Sequence, residues 1–170
     1  MPEILIRRLE RADVPALIEV RLLALQESPD AFGASYEEYA ARGPQGNADW
    51  AHDRLDTGVW GAFLGDRLVG MVGLKPETSL KSRHHATIWG TYVAPEGRGL
   101  GLGRGLMQAA IAHARTLPGV DWVQLGVGAG QTAAHGLYQA LGFEAWGRQP
   151  AALRVNGRDL DEIFMALKLG

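Results

Sequence analysis

The chain has 170 residues, 46% of them hydrophobic, so it can bury one core and a second domain is not expected. Its formal net charge of −2 offers no broad basic field for nucleic acid or an anionic membrane surface. The absence of cysteine excludes disulfides, thiolate metal sites and a cysteine nucleophile. No leader-like apolar run follows Met1 and no apolar window is long enough to span a bilayer, so a cytoplasmic protein without membrane contact is predicted.

Hydrophobic periodicity predicts the elements of the first half of the chain. Helices are predicted where apolar residues recur every three or four positions, and strands where they alternate with polar residues. In chain order these are a strand over 3–9, helices over 14–25, 36–41 and 49–55, and strands over 59–64 and 68–74. Gly65-Asp66 is typical of a two-residue hairpin turn. Gly43-Pro44-Gln45-Gly46 is predicted to break the chain between the second and third helices.

The second half reads as alternating strands and helices. The predicted elements are a strand over 86–93, a helix over 102–117, a strand over 122–127, a helix over 131–141 closed by Gly142, and strands over 143–148 and 160–169. A right-handed crossover makes the strand at 122–127 parallel to the strand at 86–93. With no internal repeat and no linker, residues 1–170 are predicted to form one mixed α/β domain.

The densest signal is the loop between strand 86–93 and the following helix, in which every second residue from Gly97 to Gly105 is glycine. Glycines allow close approach of the backbone to a ligand, and a helix N-terminus adds unpaired N–H groups and the positive end of the helix dipole. Arg98 and Arg104 add guanidinium groups suited to phosphate oxygens. The loop therefore predicts a phosphate or pyrophosphate site.

The spacing disfavours a nucleotide-binding domain. A Gly-x-Gly-x-x-Gly fingerprint fails in both frames, because Arg104 or Leu106 occupies the last position, and no lysine completes a Walker loop. Arg98-x-x-Gly101-x-Gly103, directly after a strand ending in Val-x-Pro, instead resembles the acyl-CoA pyrophosphate loop of the GNAT superfamily of N-acetyltransferases.

A second segment resembles the same superfamily. Its pattern is Gln131-x-x-Ala134-x-x-Leu137-Tyr138-x-x-Leu141-Gly142-Phe143, with glutamine at 131 where the family usually has asparagine. The resemblance covers the whole chain and implies a twisted mixed sheet of about seven strands flanked by about four helices. It also implies that the sheet splays between the strand at 86–93 and the strand at 121–127.

The resemblance further implies that acetyl-CoA enters this opening as the acyl donor. The residues it assigns to acetyl-CoA binding are Tyr92, Val93, Arg98, Gly99, Leu100, Gly101, Gly103, Arg104, Gln131 and Tyr138. It implies direct acetyl transfer to a primary amine of a small molecule or peptide, with Tyr138 as the general acid that protonates the thiolate.

The general base is not fixed by the resemblance, because strand 86–92 carries no carboxylate where many relatives have a glutamate. The candidates are Glu38, beside Glu37 in the second helix, and His85, beside His84 at the strand entrance. A water chain or an amine that arrives neutral would need neither. No metal site is predicted, because adjacent histidines on a strand point to opposite faces.

Other readings stay open at this stage. A non-catalytic acyl-CoA-binding module is the alternative function, favoured by the missing strand carboxylate and opposed by Tyr138 and the intact loop. Segment 27–56 carries seven acidic residues against Arg42 and Arg54, which suggests a cationic acceptor or simply a solvated surface. Four aromatic residues, Tyr36, Trp50, Trp60 and Trp89, suggest an apolar part of the acceptor pocket or core packing. A homodimer through the terminal strands is compatible with the fold.

Overall fold

A seven-stranded sheet and five helices make up the protein in the computed structural model, which describes residues 1–170. The strands are β1 (Ile4–Arg8), β2 (Val59–Leu64), β3 (Arg67–Pro76), β4 (His85–Val93), β5 (Trp122–Gly128), β6 (Glu144–Val155) and β7 (Arg158–Lys168). The helices are α1 (Val14–Glu27), α2 (Tyr36–Ala41), α3 (Gly43–Thr57), α4 (Leu102–Thr116) and α5 (Thr132–Ala140). None of these helices combines the length and the apolar character needed to cross a bilayer.

The sheet order is β1-β2-β3-β4-β5-β7-β6, and β4 with β5 is its single parallel pair. The mixed α/β fold, the hairpin at Gly65-Asp66 and the parallel crossover through α4 are thereby confirmed. The prediction for residues 43–46 is wrong. These residues begin α3 instead of interrupting the chain, because Pro44 lies in the first turn, where its missing N–H is not needed. Gly43, at φ +69°, makes the sharp turn from α2.

Helices cover both faces of the sheet. Gly70 of β3 faces α4, since a Cβ built there would lie 3.2 Å from Leu106. The next residue, Met71, turns to the opposite face, which α1 and α3 cover. The amphipathic helix α4 buries one stripe on the sheet, consisting of Leu102, Leu106, Met107, Ala110, Ile111 and Ala114. The core therefore fixes the position of α4, and with it the glycine loop that precedes it.

The sheet splays at its parallel pair. β4 and β5 are in register only at His85–Trp122, Ala86–Val123 and Thr87–Gln124. Beyond these pairs, β4 stays on β3 as far as Val93, while β5 stays on β7 as far as Gly128. The predicted splay is confirmed, and it leaves backbone groups of both strands without a partner across the opening.

A β-bulge lies on the open part of β4. The β3–β4 register shifts by one residue between Met71–Tyr92 and Gly73–Trp89, so Gly90 and Thr91 together oppose a single residue of β3. Gly90 has φ +66°, a conformation that favours glycine. The bulge bends β4 where it borders the opening.

Candidate active site

The opening between β4 and β5 is a cleft of about 510 Å³. This is the volume expected of a small-molecule site. One wall is the β4 segment 88–93, the opposite wall is Leu125–Val127 of β5 with one face of α5, and the segment after α1 contributes Ser28, Ala31 and Phe32. Six of the residues predicted to bind acetyl-CoA border this cleft together: Tyr92, Val93, Arg98, Gly103, Gln131 and Tyr138.

The glycine loop ends in the cleft at Gly103. The four other residues predicted there, Gly99, Leu100, Gly101 and Arg104, are exposed in the loop and the first turn of α4. No backbone N–H from 99 to 104 donates to a chain carbonyl or side chain. Gly99 and Gly101 adopt φ +79° and +74°, and a Cβ on either would meet nothing within 4 Å. This group of open donors at a helix N-terminus fits a pyrophosphate.

Arg98 lies between the loop and α1. Its Nη2 donates to Glu27 Oε2 at 2.9 Å and to Oε1 at 3.0 Å, and its Nε donates to the Val93 carbonyl at 3.0 Å. The Tyr92 hydroxyl also donates to Glu27, at 3.0 Å. Glu27 therefore ties the end of α1 to the end of β4. This role of Glu27 was not predicted, because no local sequence pattern signals a contact across 71 residues.

The charges of this cluster follow from its hydrogen bonds. The Ser28 hydroxyl, then Arg98 and Tyr92, lower the pKa of the Glu27 carboxyl against an opposing effect of burial. Burial first, and the neighbouring Glu27 carboxylate second, raise the pKa of Tyr92 to about 12. At neutral pH the cluster thus holds a carboxylate, a guanidinium and an un-ionised phenol.

Tyr138 lies on α5 with its side chain turned into the cleft wall. It is only 7% exposed, and its ring packs 6.1 Å from the ring of Phe143. Burial raises the pKa of the Tyr138 phenol, and the neighbouring Thr91 hydroxyl acts in the opposite direction. Tyr138 therefore holds its proton at neutral pH and can donate it inside the cleft.

Neither predicted base borders the cleft. Glu38 is exposed on α2, where its backbone N–H is capped by the Ser35 hydroxyl. His85 begins β4, at the paired end of the strand and far from Val93. The rings of His84 and His85 lie 4.2 Å apart, because His84 belongs to the turn before β4 and the alternation of a strand does not apply to it.

Aromatic residues predicted for an acceptor pocket divide between several places. Trp89 borders the cleft and packs edge-on against Trp50, with ring centroids 5.7 Å apart. Trp60 instead packs against His113 of α4, and Tyr36 lines a separate groove between the α1–α2 segment and β6. Trp89 is therefore the one of these four that reaches the cleft.

Part of the chain is similar in sequence to a known acetyltransferase. A Pseudomonas paraeruginosa L-methionine sulfoximine/L-methionine sulfone acetyltransferase is 41% identical over 78 residues, which is 46% of this chain and 45% of that protein. The matched stretch thus spans less than half the length of this relative.

Two solved structures share the fold over nearly their whole length. A ribosomal-protein-alanine N-acetyltransferase from Brucella melitensis has 28% identity and a TM-score of 0.80, covering 97% of this chain and 99% of its own. The yncA protein of Salmonella typhimurium, solved with its cofactor acetyl-CoA, has 24% identity and a TM-score of 0.82, covering 98% and 94%. At 24% identity, the similarity to the yncA protein shows a shared fold only.

The sequence profile described as the acetyltransferase (GNAT) family matches residues 20–143, which include the second half of α1, the open edge of β4, the glycine loop and α5. The match covers well over half of the chain, and both motifs that suggested the resemblance lie within it. The chain belongs to the acetyltransferase (GNAT) family.

Proposed function

We propose that this protein is an acetyl-CoA-dependent N-acetyltransferase that transfers the acetyl group to a primary amine of a small molecule or peptide. The observation that carries the proposal is the splayed β4–β5 cleft, which ends at the open N–H groups of residues 99–104. These donors suit the pyrophosphate, while the unpaired strand edges suit the amide-rich pantetheine arm. Gln131, at the start of α5, borders the same cleft and can donate to that arm.

The chain's own residues supply positioning and one proton. The cleft holds the thioester against the acceptor amine, so proximity contributes much of the rate. A backbone N–H near Val93 polarises the thioester carbonyl. The amine nitrogen bonds to the carbonyl carbon, the carbon–sulfur bond breaks, and Tyr138 gives its phenolic proton to the departing thiolate. The amine loses its own proton to water or a base, and Tyr138 recovers a proton from solvent.

No base residue is required by this scheme. Glu38 and His85 stay predictions that the cleft geometry does not favour, since neither borders it. A neutral amine that passes its proton to water after attack needs neither. Tyr138 places a buried hydroxyl in the cleft wall, which acetyl transfer would use and acyl-CoA binding alone would not require.

Calorimetric titration with acetyl-CoA, beside ATP and NAD at equal concentration, tests the donor. Saturable binding of acetyl-CoA alone is expected, and tighter binding of either nucleotide would refute the assignment of the loop. Acceptors are then screened by thiol release, which reports only CoA because the chain has no cysteine. The first acceptors to be tested are methionine sulfone, methionine sulfoximine and a peptide with an N-terminal alanine, since the relatives above are named for such substrates.

A further inference from the structure

Arg21 of α1 is a buried cation without a partner. It is 8% exposed, and its Nε and Nη1 atoms are fully buried with no hydrogen bond. None of the seven ion pairs in the structure includes it. Burial lowers the pKa of Arg21 to about 10, so the guanidinium remains charged at neutral pH. Buried charges are normally paired, and an unpaired one is costly to keep.

Four aromatic rings surround this guanidinium. Its central carbon lies 5.2 Å from the ring of Phe32, 5.7 Å from Trp50, 5.8 Å from Trp89 and 6.0 Å from Tyr39. We refer to these four residues as the aromatic cage. Cation–π attraction stabilises the charge but leaves the N–H groups of Arg21 without acceptors.

The other polar groups around the cage do not accept a hydrogen bond from Arg21. The Tyr39 hydroxyl and Trp89 Nε1 are buried without a hydrogen bond. Arg42 lies 5.0 Å from the Tyr39 ring, and Arg54 lies 5.8 Å from the rings of both Trp50 and Trp89. The positive charges of Arg42 and Arg54 both lower the pKa of Arg21. Arg54 itself forms an ion pair with its exposed neighbour Asp53. The cluster is therefore electropositive, and the buried Nε and Nη1 groups of Arg21 donate to no group within it.

The cluster adjoins the cleft. Phe32, Trp89 and Gly90 belong both to the cleft wall and to the surroundings of Arg21. A Cβ built on Gly90 would lie 3.5 Å from Arg21 Nη1, so the guanidinium stands directly behind a position that has no side chain. The bulge at Gly90 thus brings the backbone of the wall close to this cation.

We propose that Arg21 and the aromatic cage bind an oxyanion group of the acceptor, so that the substrate is an amine that also carries a carboxylate or a similar oxyanion. This inference rests on the function proposed above, because it places the acceptor beside the β4–β5 cleft. A carboxylate is the group that the fork of guanidinium donors matches best. The aromatic rings exclude water from the contact, which strengthens it.

The acidic residues of segment 27–56 do not oppose this assignment. None of the seven borders the cleft. Glu27 pairs with Arg98 and Asp30 pairs with Arg158, and the rest are exposed: Glu37, Glu38, Asp49, Asp53 and Asp56. They form the solvated surface that was one of the two readings of this segment, so they give no support to a cationic acceptor.

The test compares matched acceptors on wild-type protein and on Arg21→Met, which keeps the length of the side chain and removes its charge. Each L-amino acid is assayed for thiol release beside its own carboxamide. Wild type is expected to acetylate acids in preference to their amides, and Arg21→Met to lose about tenfold or more in kcat/KM for the acids alone. Arg21→Lys should restore part of the loss. Arg67→Met is the matched control, because Arg67 is exposed and pairs with Glu96 away from the cleft.

A binding measurement decides the proposal if no amino acid is a substrate. Trp50 and Trp89 make the cage fluorescent, so acetate and methanesulfonate are titrated against the acetyl-CoA-saturated protein, with acetamide as the neutral probe. Saturable quenching by the anions only, weakened about tenfold or more in Arg21→Met, is expected. Equal quenching in the variant, no saturable anion binding, or acetylation of amides as readily as acids would overturn the proposal. Acetyl-CoA affinity, measured by calorimetry on the same samples, separates these outcomes from failure of the donor assignment and from misfolding.

Discussion

Tyr138 is the residue on which the proposed chemistry depends most. We expect Tyr138→Phe to lower kcat by about 100-fold, a typical contribution of one general acid, with the KM for acetyl-CoA changed by about twofold at most. The phenol oxygen alone is removed, and the ring can keep its contact with Phe143. Steady-state kinetics with saturating acceptor measure both constants. Tyr36→Phe is the control, since Tyr36 lies outside the cleft. A kcat equal to that of wild type would remove Tyr138 from the mechanism.

The pKa of Tyr138 adds a pH dependence to this expectation. Because burial raises it above the ordinary value of 10, the phenol stays protonated through neutral pH. A fall in kcat that reflects loss of the Tyr138 proton should therefore lie only above about pH 10. A fall in kcat near pH 8 would indicate ionisation of a group other than Tyr138.

Glu27 gives a prediction about stability. The pKa of its carboxyl is lowered in the fold, so the charged form stabilises the protein above the unfolded pKa, near 4.5, and this stabilisation is lost as pH falls through the lower folded value. Glu27→Gln should reduce the free energy of unfolding by about 1 kcal/mol or less at pH 7, because the Arg98–Glu27 pair is partly exposed. Urea titrations should show this difference shrinking below about pH 4.5. A difference that persists unchanged at pH 3 would contradict the role given to the ionised carboxylate.

Among the elements, the glycine loop and α4 form the proposed donor site. Gly103→Asp should weaken acetyl-CoA binding by about 100-fold or more, because it places a negative charge among the N–H groups assigned to the pyrophosphate. The structure offers a matched control in Gly103→Ala. A Cβ at this position would lie 3.5 Å from Leu137, an ordinary contact, so the alanine variant should bind nearly as wild type does. Calorimetry measures both affinities, and equal weakening in the two variants would indicate a steric effect in place of the charge.

Where the local sequence pattern is strong, the predicted elements agree closely with those of the structure. The amphipathic stripe that begins at Leu102, the hairpin at Gly65-Asp66 and the splay after Thr87 all follow from periodicity, turn chemistry or family resemblance. The start of α3 was missed because Gly43-Pro44 favours both a break and a first helical turn, and only the packing of α3 on α1 and β3 selects the helix. Glu27 and Arg21 could not be found in this way, since their importance comes from tertiary contacts: Arg98 is 71 residues from Glu27, and the cage around Arg21 joins α1, α2, α3 and β4.

At the scale of the whole molecule, the splay divides the sheet into two halves. β1 to β4 form one antiparallel block and β5, β7 and β6 form another, with only three register pairs between them. A ligand that occupies the opening contacts both blocks, because the cleft walls come from β4 on one side and from β5 and α5 on the other. A ligand that binds only the folded state raises the free energy of unfolding, and well above its dissociation constant the increase follows the logarithm of the ligand concentration.

This coupling predicts a large thermal shift. Acetyl-CoA at about 100 times its dissociation constant should add about 2.7 kcal/mol, which for a chain of this size corresponds to a rise in Tm of roughly 5–10 °C. Differential scanning calorimetry over a series of acetyl-CoA concentrations measures the shift, and Gly103→Asp should show almost none at the same concentrations. A Tm independent of acetyl-CoA in the wild type would mean that the opening between the two blocks does not hold the donor. If Gly103→Asp shifted as much as wild type, acetyl-CoA would bind away from the glycine loop, and both the path of the pantetheine along β4 and the position of Tyr138 beside the thiolate would be refuted.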